Sequence, residues 1–269
     1  MRSSTPPRFP RPDPGAPFPR TEVLGVGISA VTMELAVAEI ERRVREHDQG
    51  FVTLTGVHGV MEARRSPAVR RAHDQAAMVC PDGMPMVWSS RYAGFDWVER
   101  VYGPDLMLAL CARSTANGWR NFFYGGGPGV AERVADQLRS RFPGLQVCGV
   151  HTPPFRPLDG AETAEIVDRI NSSGADLLWV GLSTPKQELW MAEIGTRLAV
   201  PVALGVGAAF DFHAGLVPQA PPWVQRSGLE WLYRLGREPR RLWRRYLTNN
   251  PAFVAAILRQ RPRRAGSER

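Results

Sequence analysis

The chain has 269 residues, a formal net charge of +8 and 43% hydrophobic residues, enough for one α/β domain or two small ones with a sizeable core. Its three scattered cysteines, Cys80, Cys111 and Cys148, exclude a disulfide framework or a zinc site and read as small apolar side chains in a reducing cytosol. No apolar run approaches the ~20 residues that span a bilayer, so any membrane contact is expected to be peripheral.

Residues 1–20 are rich in proline and arginine, carry no apolar run of the secretory type, and are expected to form a disordered extension. From Thr21 onward short apolar runs alternate with helical patterns. The periodicity predicts helix over 34–47, strand over 51–55, helix over 57–65 and strand over 76–80, stopped by Pro81-Asp82-Gly83. It then predicts helix over 105–117, with Asp105 as N-cap and Gly118 as the stop. Strands over 121–124, 145–150, 176–181 and 202–206 follow, alternating with helices over 130–141, 162–172 and 186–194. Such alternation predicts an α/β fold, a Rossmann-like, doubly wound and mostly parallel sheet, over 21–222. In that architecture ligands bind at the carboxyl ends of the strands.

The last segment differs. Residues 226–269 hold twelve arginines against three glutamates, about +9, so the rest of the chain sums to about −1. From Trp223 only helices are expected, with a break at Pro239. Beyond it, Arg240, Arg241, Arg244 and Arg245 fall on one arc of a helix and Leu242, Trp243, Tyr246 and Leu247 on the other. The segment 223–269 is therefore expected to be a cationic appendage, either packed on the domain or lying in an anionic membrane surface.

Several strand-end residues carry chemistry. Asp82 should emerge at the end of a buried strand, as a general base or as a plain turn aspartate. Gly125-Gly126-Gly127-Pro128-Gly129 joins strand to helix, as a phosphate loop or as a tight turn. It fits neither G-x-G-x-x-G nor the Walker pattern. Pro185-Lys186-Gln187-Glu188 puts a cation and an amide at a helix start, and Asp211 follows another strand. There is no Asp-x-Asp, His-Glu-x-x-His or Gly-x-Ser-x-Gly motif. A nucleotide diphosphate would have to be neutralised by arginines or helix dipoles, with no metal.

These pieces together resemble the bacterial WecG/TagA/CpsF glycosyltransferases. The blocks are PDGMPMVW (81–88), ERVYGPDL (99–106), FFYGGGPGVAE (122–132), VGLSTPKQELW (180–190), GVGAAFDFHAG (205–215), the run from 220 to 247 containing LEWLYRLGREPRR, and NNPAF (249–253). The resemblance implies an inverting, metal-independent enzyme at the cytoplasmic membrane face. It would move a sugar from a UDP-sugar to a polyprenyl-diphosphate-linked saccharide, with no cofactor. It implies a base at Asp82, a threonine at Thr53, an arginine at Arg100 and a glutamine at Gln187 around the substrates. Arg234, Arg241 and Arg244 of the appendage would close over the site. The family usually carries Thr-x-Asn where this chain has Thr53-Leu54-Thr55. Without that amide at Thr55, glucose stands beside N-acetylmannosamine and N-acetylmannosaminuronic acid as donor sugar. Oligomeric state, homo-oligomers included, is left open.

Two rivals remain on the residues alone. A Rossmann-type oxidoreductase would use the glycine loop, and a nucleic-acid-binding protein would use the arginine tail. The near-neutral body offers the second no base-reading surface, so nucleic acid is not expected as a partner.

Overall fold

The computed structural model describes residues 9–12 and 16–266. The expected extension at 1–20 lies partly outside them. Within the described part Phe9 packs on Phe95, with ring centroids 5.2 Å apart, and its carbonyl accepts from the Trp97 indole. A hairpin follows, β1 (Arg20–Val23) and β2 (Val26–Ser29). Then come α1 (Met33–Glu46), β3 (Gly50–Thr55), α2 (Val57–Arg65), α3 (Pro67–Gln75), β4 (Met78–Pro81) and α4 (Met84–Tyr92). The middle of the chain forms α5 (Gly103–Asn117), β5 (Arg120–Gly125), α6 (Val130–Arg141), β6 (Gln146–His151) and α7 (Gly160–Ser173). It continues through β7 (Leu177–Gly181), α8 (Lys186–Ile194), β8 (Val202–Gly205) and α9 (Ala209–His213). The appendage holds α10 (Pro222–Ser227), α11 (Glu230–Arg237), α12 (Pro239–Arg259) and a short β9 (Arg263–Arg264).

Six strands form a wholly parallel sheet in the order β4-β3-β8-β7-β5-β6, as the alternation predicts. Both faces are covered. Val52, Leu54, Phe123, Trp179 and Leu204 pack against α1, α5, α6 and α9. Phe51, Phe122, Tyr124, Leu178 and Val180 pack against α2, α7, α8 and the far end of α12. A sheet buried on both faces needs near-continuous apolar strands, which these are. Thr53 and Thr55 share the Phe51 face by strand alternation and are themselves buried.

Local chemistry sets the boundaries. Thr32 caps α1 by accepting from the Leu35 amide at 3.2 Å. Asp159 and Glu162 form a reciprocal capping box on α7, and Gly118 ends α5 in the left-handed region. Three expectations shift. Asp105 is not the N-cap of α5: the helix begins at Gly103 with Pro104 in its first turn, and Tyr102 holds the cap position. Ala76 ends a helix the periodicity did not reveal, α3, so the strand starts at Met78. The appendage is not only helical, because β9 returns to pair with β1 in a second, three-stranded sheet, β2-β1-β9. That pairing sets Arg263 against Glu22 at 3.0 Å. The appendage is therefore tethered at both ends.

Candidate active site

The carboxyl ends of β3, β4, β7 and β8 carry the polar residues that the fold leaves without an apolar partner. Asp82 follows β4, and its amide donates to the Thr55 carbonyl at 3.1 Å. Its Oδ1 is fully enclosed with no hydrogen-bond partner, although the side chain as a whole keeps 34% of its surface open. One oxygen is thus held in the protein while the group still faces an opening. Burial pushes the Asp82 carboxyl above the usual carboxylate range; Arg100 opposes this and Glu230 reinforces it.

Arg100 is the hub of the cluster. Its Nε donates to the Asp82 carbonyl, and its Nη2 lies 3.8 Å from Asp82 Oδ1 and 2.6 Å from Glu230 Oε2. Its guanidinium stacks 4.0 Å over the Tyr102 ring, whose hydroxyl donates to Glu230 Oε1 at 3.2 Å. Burial alone would favour loss of the proton, but Asp82 and Glu230 outweigh it and raise the guanidinium pKa. Glu230 opens α11, so this network ties the appendage to the body at the mouth of the site.

The appendage also delivers cations. Arg234 stacks over Phe212 at 5.3 Å, and Arg241 lies between Asp211 (3.6 Å) and Glu238 (2.8 Å). Arg245 is close enough for the charges of Arg234, Arg241 and Asp82 to act on it. The Nε atoms of Arg234 and Arg245 are both buried without a hydrogen-bond partner. Desolvation lowers the Arg245 pKa, with Tyr246 and Asp82 opposing. Arg244 points elsewhere, stacked 5.3 Å over the half-exposed Trp243. The inward arginine of that pair is Arg245, since it sits at the edge of the cationic arc nearest Leu242.

Beneath this cluster lies a second polar group. The Thr55 hydroxyl contacts His73 Nε2 at 3.0 Å and Thr53 at 3.4 Å. Gln187 Nε2 donates to the Gly205 carbonyl at 3.1 Å, leaving its Oε1 buried and unpartnered. Glu188 accepts from Thr184 at 2.8 Å, and its Oε2 is also unpartnered. Burial raises the Glu188 pKa. His58, at the start of α2, touches Asn249 of α12 at 3.0 Å; burial, aided by Arg245, pushes its pKa down to about 3, so it is held neutral.

Not every expected residue joins this cluster. Lys186 is exposed, 5.3 Å over the Phe155 ring. Gly125 and Gly126 lie at the end of β5, four interstrand spacings from β4, or about 19 Å. The Gly126 amide donates to the Gly181 carbonyl at 2.9 Å and so is committed to the turn. At Gly125, φ is 120° and a Cβ would meet the Gly181 carbonyl carbon at 2.7 Å. The glycines are thus required by the turn itself. A cavity of about 510 Å³ opens beside it, lined by His151, Thr152, Phe155 and Arg169 among others. The sequence reading missed Tyr102, Glu230, Arg245 and His58. The blocks ERVYGPDL and LEWLYRL contain Tyr102 and Glu230, and periodicity had placed Arg245 on the cationic arc without turning it inward; nothing in the sequence pointed to His58.

Residues 21–267 match the glycosyl transferase WecG/TagA/CpsF family. The chain belongs to that family. It is also similar to the N-acetylglucosaminyldiphosphoundecaprenol N-acetyl-beta-D-mannosaminyltransferase of Bacillus spizizenii (strain ATCC 23059 / NRRL B-14472 / W23). The two are 30% identical over 224 residues, covering 83% of this chain and 84% of the relative. As a WecG/TagA/CpsF member the chain is a glycosyltransferase, and the oxidoreductase and nucleic-acid readings give way. Among the described residues no three His, Cys, Asp or Glu side chains converge as a metal site, and no helix is long and apolar enough to cross a membrane.

Proposed function

We propose that the chain transfers a sugar from a UDP-sugar to a polyprenyl-diphosphate-linked saccharide, with inversion and without a metal, in cell-surface polysaccharide synthesis. The observation that carries this reading is the pairing of two enclosed, unpartnered guanidinium Nε–H donors, Arg234 and Arg245, with the enclosed Asp82 carboxylate oxygen. Unpaired buried donors are costly and fit an anion that arrives with the substrate.

The donor would lie across the strand ends between β7 and β4, three interstrand spacings or about 14 Å apart. Gln187 and Asp211 would flank its nucleotide and Asp82 its anomeric carbon. Asp82 takes the proton of an acceptor hydroxyl, and that oxygen forms a bond to the anomeric carbon. The bond from that carbon to the diphosphate breaks, and UDP leaves with the electron pair. A single displacement inverts the centre. Arg100, Arg234, Arg241 and Arg245 stabilise the charge on the leaving diphosphate, which a preorganised cationic site does effectively.

The relative's acceptor, an N-acetylglucosaminyl diphospholipid, supports a lipid-linked acceptor and N-acetylmannosamine as donor sugar. Glucose is the second reading, favoured by Thr55, whose hydroxyl is already engaged by His73 and which offers no amide. The appendage would rest on the cytoplasmic face of the membrane through Trp223, Leu232, Trp243 and Leu247, which are exposed beside its arginines. A panel of UDP-sugars with a lipid-diphosphate-linked N-acetylglucosamine acceptor, read by UDP release, tests the proposal. Turnover with one hexose or hexosamine donor is expected, undiminished by a chelator. No UDP release from any donor refutes it.

A further inference from the structure

Helix α4 starts at Met84, two residues after Asp82, and one of its faces is left open. Pro85, Trp88, Ser89 and Tyr92 recur at helical spacing on that face. They form one wall of a cavity of about 500 Å³ whose other wall is Phe253, Ile257 and Leu258 of α12, closed by Arg261 and Pro262. The lining is apolar apart from Ser89, the Tyr92 hydroxyl and Arg261, which donates to that hydroxyl at 3.2 Å.

Three features argue against an ordinary surface crevice. Large apolar side chains stand open to solvent here: Trp88 at 49%, Tyr92 at 50% and Leu258 at 75%. A contiguous open patch of this kind marks a binding surface more often than chance exposure does. Second, the groove begins close to the candidate active site. Pro85 is three residues from Asp82, so the two Cα atoms are at most about 11 Å apart. The turn carrying Gly228, two residues before Glu230, lies against the Trp88 ring, where a Cβ would come within 2.6 Å. Third, the groove runs the length of α4, about 13 Å for its nine residues. It ends at Tyr92 and Arg261, beside the exposed Leu258.

We propose that this groove holds the first isoprene units of the acceptor lipid. The sugar diphosphate would lie at Asp82 and the arginines, and the chain would follow α4 to leave at the Arg261 end. A branched, wholly apolar chain joined to a diphosphate matches an apolar groove that starts near Asp82 and its neighbouring arginines. Burying its methyl and methylene groups supplies affinity that increases with length. The proposal rests on the reading of a lipid-linked acceptor, but its test does not need turnover.

The probe is a prenyl diphosphate binding to the full chain, measured by calorimetry. Wild type is expected to bind geranylgeranyl diphosphate at least about tenfold more tightly than geranyl diphosphate, a difference of ~1.4 kcal/mol. Trp88→Ala and Leu258→Glu should each remove that chain-length preference. Affinity for inorganic diphosphate and for UDP should stay as in wild type, which also reports that both variants fold. No chain-length preference in wild type overturns the proposal, as does a preference that survives in both variants. It is equally overturned if the variants change only binding to anionic vesicles or self-association by light scattering. A silent donor screen with the chain-length result intact would remove the transferase reading and leave the groove. Transfer that is indifferent to chain length would do the reverse.

Discussion

Replacing Asp82 by asparagine separates the chemistry of the site from its stability. Asparagine keeps the shape but takes up no proton, so the chemical step should fall by about 10²–10⁴, the usual contribution of a positioned base. The effect on the fold should be opposite. Burial raises the Asp82 pKa above its ordinary value of 3.8, with Glu230 adding to the shift. A carboxyl whose folded pKa lies above its unfolded one costs the fold stability once it ionises. That cost is absent below the unfolded value, grows as pH rises from the unfolded to the folded value and is complete above it. The neutral side chain removes it at pH 7. Arg100 is not stranded, because its closer partner is Glu230 at 2.6 Å, against 3.8 Å to Asp82. With a third of the side chain in solvent, screening limits the gain to on the order of 1 kcal/mol, or ~2–4 °C in Tm. The assay is single-turnover sugar transfer beside thermal unfolding at pH 7 and pH 3.5. Lower Tm at pH 7, or turnover near wild type, would refute the reasoning.

The two neighbouring arginines should behave differently. Arg245→Ala should lower kcat/KM by about 10²–10³, as loss of a charge stabiliser does. Arg244→Ala should chiefly weaken binding to anionic vesicles, by about 1 kcal/mol, measured by co-sedimentation; equal kinetic losses in the two would show that both face the substrate. Glu230→Gln removes a negative charge that raises the Asp82 pKa, so the acid limb of the kcat/KM profile should move to lower pH. A limb that stays in place would mean that Asp82 does not control it. Glu188→Gln replaces a fully buried carboxyl with a raised pKa and an unpartnered oxygen. By the same sign argument it should raise Tm at pH 7 and leave it unchanged near pH 3; a lower Tm at pH 7 would show that the charged form is needed.

The parallel core was legible because its signal is local. Strands such as Gly50–Thr55 and Val202–Gly205 are short, mostly apolar runs ended by glycine or a polar residue, and the capped helices between them repeat at 3.6 residues per turn. The hairpin β1–β2 and α3 were less legible, since each is short and mixes buried with polar positions. β9 was invisible. Its two residues are arginines, and only pairing with β1, more than 240 positions away, makes them a strand.

The candidate site divides the same way. Asp82 could be placed at a strand end from the chain, because a carboxylate after an apolar strand and before glycine has few places to go, and the family resemblance singled it out as the expected base. Periodicity likewise marked residues 240–247 as a cationic helix. It did not decide which arginine turns inward, because a helical wheel gives angles without saying where the body lies. Docking of α12 against α2 buries Arg245 and leaves Arg244 on Trp243. Glu230 similarly gained a role only when α11 came to rest on Arg100 and Tyr102. By itself the sequence determined the sheet, the strand-end position of Asp82 and the existence of a cationic appendage, all set by neighbours within a few residues. The tertiary structure decided which charges meet. Desolvation and ion pairing depend on groups that are distant in the chain and adjacent only once it is folded.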